Sequence, residues 1–235
     1  MMGGQACVLY GGAEFSRDAD LAVLADAENL RRLANAFTAL VASVEYVPPF
    51  EAQYLERGHA VHFRCGREDV RGLRVDVMSK MRGVDSFATL WERRTTLTMG
   101  ETPDKLEMDV LALPDLVRAK KTQRDKDWPM IRRLLEANYF AFRTDPTGPR
   151  IDFWLRELRS PELLVECART FPGVARAVSR ERAAVMAALG DMPGKVEDEL
   201  RSEENRERAA DRAYWAPLRK ELEQLRRAQG ERAPD

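Results

Sequence analysis

The opening twenty residues constrain this chain more than any other segment. Gly3 and Gly4 begin a short apolar-rich stretch, a turn follows, and Asp18-Ala19-Asp20 then leads straight into the apolar run Leu21-Ala22-Val23-Leu24. Residues i and i+2 of a strand point to the same face. A strand over 18–25 therefore aims the carboxylates of Asp18 and Asp20 at one point. Two like charges held that close are costly unless a cation lies between them. Hard oxygen ligands favour magnesium, with manganese as the alternative. The glycine pair stands almost at the first residue, so either the fold does without an element ahead of it or the true start lies upstream.

A third carboxylate has a similar setting. In Leu73-Arg74-Val75-Asp76-Val77-Met78 the valines alternate with Arg74, Asp76 and Met78, so Asp76 shares a strand face with Arg74 and opposes an apolar face. Aspartate in mid-strand is disfavoured by propensity and needs a reason. One reason is a salt bridge to Arg74 or Arg64. The other is a strand lying beside Asp18–Asp20, with Asp76 completing a metal triad.

The rest of the chain divides into an α/β front and a helical back. The expected helices are 27–41 and 50–57. An antiparallel hairpin is expected from 59–65 and 73–78 across the Gly66–Gly72 turn, then a helix over 86–94 capped by Ser86, and a strand over 106–111. Later come helices over 114–125, 128–142, 151–158, 161–170, 179–189 and 195–227, with a frayed end from Gln229 to Asp235. The fold class is therefore α+β, a small mixed sheet flanked by helices and followed by an all-helical region. The expected domains are 1–112 and 113–235, the second ending in a charge-rich helix.

Composition excludes more than it selects. Net charge is −1 over 38 basic and 39 acidic residues, which gives no global signature for nucleic acid or a membrane surface. No apolar run reaches the roughly 18 residues of a membrane span. Cys7, Cys65 and Cys167 stand far apart without CxxC spacing, which makes a reducing cytoplasm the simplest setting. His59 and His62 differ by three, so in a strand they face opposite sides and read as ordinary strand residues. Lys80, Arg82, Arg93 and Arg94 read as surface charge, with guidance of a nucleic-acid or nucleotide substrate as the alternative.

With those residues in view, the chain resembles the polymerase-β-like nucleotidyltransferase superfamily. The carriers are Gly3-Gly4, the thirteen residues 5–17, the pair Asp18-Ala19-Asp20, and Asp76 on a later strand. The run Tyr10-Gly11 through Phe15-Ser16-Arg17-Asp18-Ala19-Asp20-Leu21 is similar to that of minimal nucleotidyltransferases, among them AbiEii-type toxin enzymes and antibiotic nucleotidyltransferases. Leu113-Pro114-Asp115-Leu116 with Lys120, followed by Arg124-Asp125-Lys126-Asp127, is similar to a strand-then-helix element of the same proteins. The likeness covers about residues 3–135.

The resemblance implies attack of an acceptor hydroxyl or phosphate on the α-phosphate of a nucleoside triphosphate, with release of pyrophosphate. Asp18, Asp20 and Asp76 would be the catalytic residues and the ligands of two Mg²⁺ ions, and Asp76 would also accept the hydroxyl proton. A helix beginning at Gly3 and Gly4 would turn its amides to the triphosphate. Ser16 and Arg17 would bind phosphate; otherwise they are a strand-start serine and an exposed arginine. Lys120, Arg124 and Asp127, at i, i+4 and i+7 of one helix, would complete the nucleotide site, while Lys121 pairs with Asp125. The acceptor is tRNA, protein or a small molecule, and a toxin-like member would have a cognate antitoxin. A catalytically degenerate nucleotide-binding or partner-binding module is the alternative.

Overall fold

Strand β1, Asp18–Ala22, runs parallel to β4, Arg74–Met78, and this pairing organises the first of two compact units in the computed structural model, which describes residues 1–100 and 105–230. That unit comprises residues 1–8, 15–119 and the chain from 212 onward; the second comprises 9–14 and 120–211. The expected domains were contiguous stretches meeting at 112/113. The compact units are not contiguous.

In chain order the first unit holds most of α1 (Gly3–Leu9), β1, α2 (Ala27–Ala39), β2 (Ser43–Val44), α3 (Ala52–Arg57), β3 (Val61–Arg64), β4, α4 (Phe87–Glu92), β5 (Thr95–Met99), β6 (Leu106–Val110) and most of α5 (Leu113–Lys120). Four strands form one mixed sheet in the order β1-β4-β3-β2, with β3 and β4 the expected antiparallel hairpin. A second sheet pairs β5 with β6. Strand β5 was not expected, although its Thr-Thr-Leu-Thr run is rich in the β-branched residues that strands favour.

One face of the mixed sheet is dry. Val61, Phe63, Val75 and Val77 are buried there with Leu30 and Phe37 of α2 and Leu55 of α3, and Ala19 and Leu21 pack against them. Phe37 stacks on Phe63 with centroids 3.9 Å apart, and Phe50 meets both rings edge-on. Each such side chain contributes about 1.5–3 kcal/mol by leaving water. Asp26 starts α2 by accepting the Asn29 amide at 2.8 Å. The Met2 amide donates to the Asp20 carbonyl and the Leu111 amide to the Met1 carbonyl, tying the first residues to β1 and to the end of β6.

The second unit is helical: α6 (Asp127–Phe142), α7 (Gly148–Glu157), α8 (Pro161–Thr170), α9 (Pro172–Val178), α10 (Ala183–Leu189) and the front part of α11 (Pro193–Gly230). Trp154, Tyr139, Ile131, Leu134 and Leu155 are fully buried in it. The expected helix over 179–189 begins only at Ala183: Ser179 caps the end of α9, a helix that was not expected, and α10 begins after Arg182. Buried Arg182 is needed elsewhere, since its guanidinium donates to the Leu155 and Leu158 carbonyls at the end of α7 and to Glu203. The end expected to fray lies outside the described residues beyond Gly230. Among the described residues no helix is long and apolar enough to cross a membrane.

Candidate active site

The dry face of the sheet dictates the composition of its other face. Because Ala19, Leu21, Val61, Phe63, Val75 and Val77 turn inward, their strand neighbours Asp18, Asp20, His62, Arg64, Arg74 and Asp76 turn outward together. Register aligns them: Asp18 lies opposite Arg74, Asp20 opposite Asp76, and His62 opposite Asp76. The three aspartates anticipated from the sequence thus share one sheet face. His62 and Arg74 share it too, and His62 carries more than the ordinary strand role expected of it.

Asp20 is fixed from the side of α1. Gly3 adopts φ +65°, in the left-handed region, and a Cβ there would sit 1.9 Å from Asp20 Oδ2. The Gly4 amide donates to the same oxygen at 3.1 Å. Only a residue without a side chain lets the backbone come this close in this conformation. The amide expected to face a triphosphate is thus engaged with the Asp20 carboxylate. Ser16 lies against Gly4, where a Cβ would come within 2.4 Å of its Oγ. Its hydroxyl donates to the Asp18 carbonyl, and its own carbonyl accepts from Gln5 Nε2. Arg17 is exposed, with its guanidinium 6.0 Å from the Phe15 ring centroid.

Asp76 is the most heavily engaged of the three. Arg74 grips it with two hydrogen bonds, Nε to Oδ1 at 2.7 Å and an outer nitrogen to Oδ2 at 2.9 Å, and His62 Nδ1 lies 2.8 Å from Oδ1. Burial pushes the Asp76 carboxyl up, but the hydrogen bonds from His62 and Arg74 outweigh it and hold the group below the usual carboxylate range. In turn, the bond to Asp76 raises the Arg74 pKa, and the charge of Asp18 across the strand pair adds to the effect.

The donor chemistry suits a hard divalent cation: three carboxylates, all oxygen, on one face, two of them directly opposite in register. Among the described residues no group of three or more His, Cys, Asp or Glu is arranged to hold a metal ion. The reason is visible in their bonds. Asp76 is turned to Arg74 and His62, and an oxygen of Asp20 is turned to Gly4.

Lys120, Arg124 and Asp127 do not lie on one helix face. Helix α5 ends at Lys120, α6 begins at Asp127, and Arg124 sits in the turn between them. They still meet, and they meet on Asp127. That fully buried carboxylate accepts from Lys120 Nζ at 3.4 Å, Arg124 Nε at 2.7 Å and the Thr122 hydroxyl. The expected Lys121–Asp125 pair does not form: Lys121 pairs with Glu157, and Asp125 with Arg208. The helix stops because its continuation is bonded elsewhere. The Gln123 amide donates to Asp211, and Trp128 Nε1 donates to the Thr122 carbonyl. Arg93 is not mere surface charge either, since it grips buried Asp115 with two bonds at 2.6 Å. The periodicity of α5 carries no sign of that pair.

Comparison with protein-family models, with curated proteins and with solved structures returned no match for this chain.

Proposed function

We propose that this chain is a Mg²⁺-dependent nucleotidyltransferase that moves a nucleoside monophosphate from a nucleoside triphosphate to a hydroxyl or phosphate acceptor. One observation carries the reading. The β1–β4 register puts Asp18, Asp20 and Asp76 on the open face of a sheet whose other face is core, and Gly3 beside them has a backbone conformation and a closeness to Asp20 that only glycine accommodates. A fold that needs only a salt bridge on a strand has no use for three acids there.

Asp18 and Asp20 from β1 and Asp76 from β4 would hold the metal. Magnesium, when bound, would neutralise charge on the triphosphate and acidify the attacking hydroxyl. The acceptor oxygen forms a bond to the α-phosphorus, the bond to the bridging oxygen breaks, and pyrophosphate leaves. The hydroxyl proton passes to Asp76. While Arg74 grips it, the depressed Asp76 carboxyl is a weak base, so proton acceptance requires Arg74 to withdraw. Ser16 and exposed Arg17, at the head of β1, are the phosphate-side groups. Lys120, Arg124 and Asp127 have no assigned role, because both cations are bonded to the one buried carboxylate of Asp127 at the α5–α6 turn. A cytoplasmic setting belongs to the proposal on the cysteine pattern alone, and a toxin-like activity with a cognate antitoxin on the resemblance alone.

Incubation of the protein with α-labelled nucleoside triphosphates, Mg²⁺ and RNA, protein and aminoglycoside acceptors tests the reading. Transfer of label that drops by at least about 10²-fold in Asp20→Ala supports it; transfer unchanged by that substitution removes the site. A second reading, a nucleotide-binding module without turnover, is favoured by the Arg74 grip on Asp76. Calorimetry separates the two: tight binding of Mg²⁺-nucleotide with no transfer to any acceptor selects the module.

A further inference from the structure

We infer that Arg74 is an exchangeable counter-ion: it occupies the cation position of the acidic face while no nucleotide is bound, and it passes to the phosphates of the nucleotide when a divalent cation takes its place. The inference rests on the nucleotidyltransferase reading of the same site.

The geometry carries it. The Arg74 guanidinium bonds both oxygens of Asp76 and lies opposite Asp18 in register, so two of the three carboxylates already act on one positive charge. Asp20 stands opposite Asp76 on the same face. A divalent ion bound by Asp76 needs the very oxygens that Arg74 holds. Before the exchange three carboxylates face one guanidinium, and a divalent cation offsets the negative charge left over. Displacement breaks both guanidinium bonds to Asp76 and leaves those donors open beside the metal, and the anion that arrives with the metal is a polyphosphate. A planar guanidinium matches two phosphate oxygens as well as two carboxylate oxygens. With its side chain about one-third exposed, Arg74 has room to change partners. His62 Nδ1 lies 2.8 Å from Asp76 Oδ1 and 2.9 Å from an outer nitrogen of Arg74, so it touches both members of the pair. Arg64, the other arginine of this face, is bonded to Glu45 and the Gly72 carbonyl and is not available for the exchange.

The consequence is a pair of opposite effects from one substitution. Removing the guanidinium removes a competitor for free metal and a ligand for metal-bound polyphosphate. A hydrogen-bonded charge pair of this kind is worth about a factor of ten in an equilibrium constant. The test is Mn²⁺ binding to the full chain, followed by electron paramagnetic resonance, for wild type, Arg74→Gln and Arg74→Lys. Each is measured first with Mn²⁺ alone and then with Mn²⁺-tripolyphosphate, a probe that needs no knowledge of the base. Arg74→Gln is expected to bind free Mn²⁺ about tenfold more tightly and Mn²⁺-tripolyphosphate about tenfold more weakly than wild type. Arg74→Lys, which keeps the charge and loses the fork, is expected to fall between. Equal Mn²⁺ affinity in wild type and Arg74→Gln, or weaker binding in the variant, overturns the exchange and leaves the metal site standing. Absence of Mn²⁺ binding in all three proteins removes the metal site and the exchange together.

Discussion

Gly3 and Gly4 look alike in the sequence and differ in what surrounds them. A Cβ on Gly3 meets the Asp20 carboxylate from Oδ2 through to Cβ, and the backbone there is left-handed. A Cβ on Gly4 meets chiefly the Ser16 hydroxyl, the end of a side chain that can rotate, and its φ carries no strain. Gly3→Ala is therefore expected to cost about 1–3 kcal/mol of stability and to displace Asp20, taking transfer activity with it. Gly4→Ala should lose much less of both. Denaturant unfolding and label transfer on the two variants check the ordering; equal losses would remove the special role of Gly3. The same scale explains His62. Its three-residue offset from His59 says only that the two face apart, whereas its place beside Asp76 depends on the pairing of β3 with β4. His59 itself lies outside β3, buried, with Nε2 2.8 Å from Glu221.

At the scale of elements, the α5–α6 turn is set by one buried acid. Asp127 is stabilised as an anion: burial opposes ionisation, but the charge of Lys120 and the bonds from Thr122 and Arg124 outweigh it and hold its pKa below the ordinary value of 3.8. Asp127→Ala leaves Lys120 buried without its partner and is expected to destabilise by about 3–5 kcal/mol. The sign of the pH dependence follows from the depressed folded pKa. The stabilisation is fully present above about pH 4 and is lost as pH falls through the folded value. The stability gap between wild type and Asp127→Asn, measured by urea unfolding from pH 7 downward, should therefore narrow below pH 4; a gap independent of pH rejects the charge account. A continuous helix over 114–125 is what periodicity alone suggests. Partners distant in sequence decide otherwise, Asp211 for the Gln123 amide and Arg208 for Asp125 and the Gln123 carbonyl. The strand pair β5–β6 has the same character, since Thr95–Met99 becomes a strand by finding Leu106–Val110.

At the scale of the whole molecule, chain order and membership of the compact units part company. The end of α11 belongs with the first unit. Tyr214 there closes over Gly58, whose backbone is left-handed at φ +105° and where a Cβ would come within 2.3 Å of the Tyr214 hydroxyl. Glu221 pairs with buried His59 and with Arg57 at 2.7 Å. Glu221→Ala strands the His59 ring nitrogen and is expected to cost about 1–3 kcal/mol. Hydrogen exchange should register the loss in the β3 and β4 amides. Unchanged protection there would mean that the terminal helix contributes nothing to the sheet.

The sequence by itself determined the strands that carry the acids, the glycine pair, and which face of each strand is polar. These are local properties, written in an alternation of period two and in residues with unusual backbone freedom. It also implied that Asp18 and Asp20 face one way. Only the tertiary structure decided that β1 lies parallel to β4 with Asp20 opposite Asp76, that Arg74 and His62 hold Asp76, and that Lys120 and Arg124 converge on Asp127 across a turn. Each of these depends on which distant segment supplies the partner for a buried charge or an unpaired backbone group. Periodicity records the direction of a side chain but not the identity of what it meets.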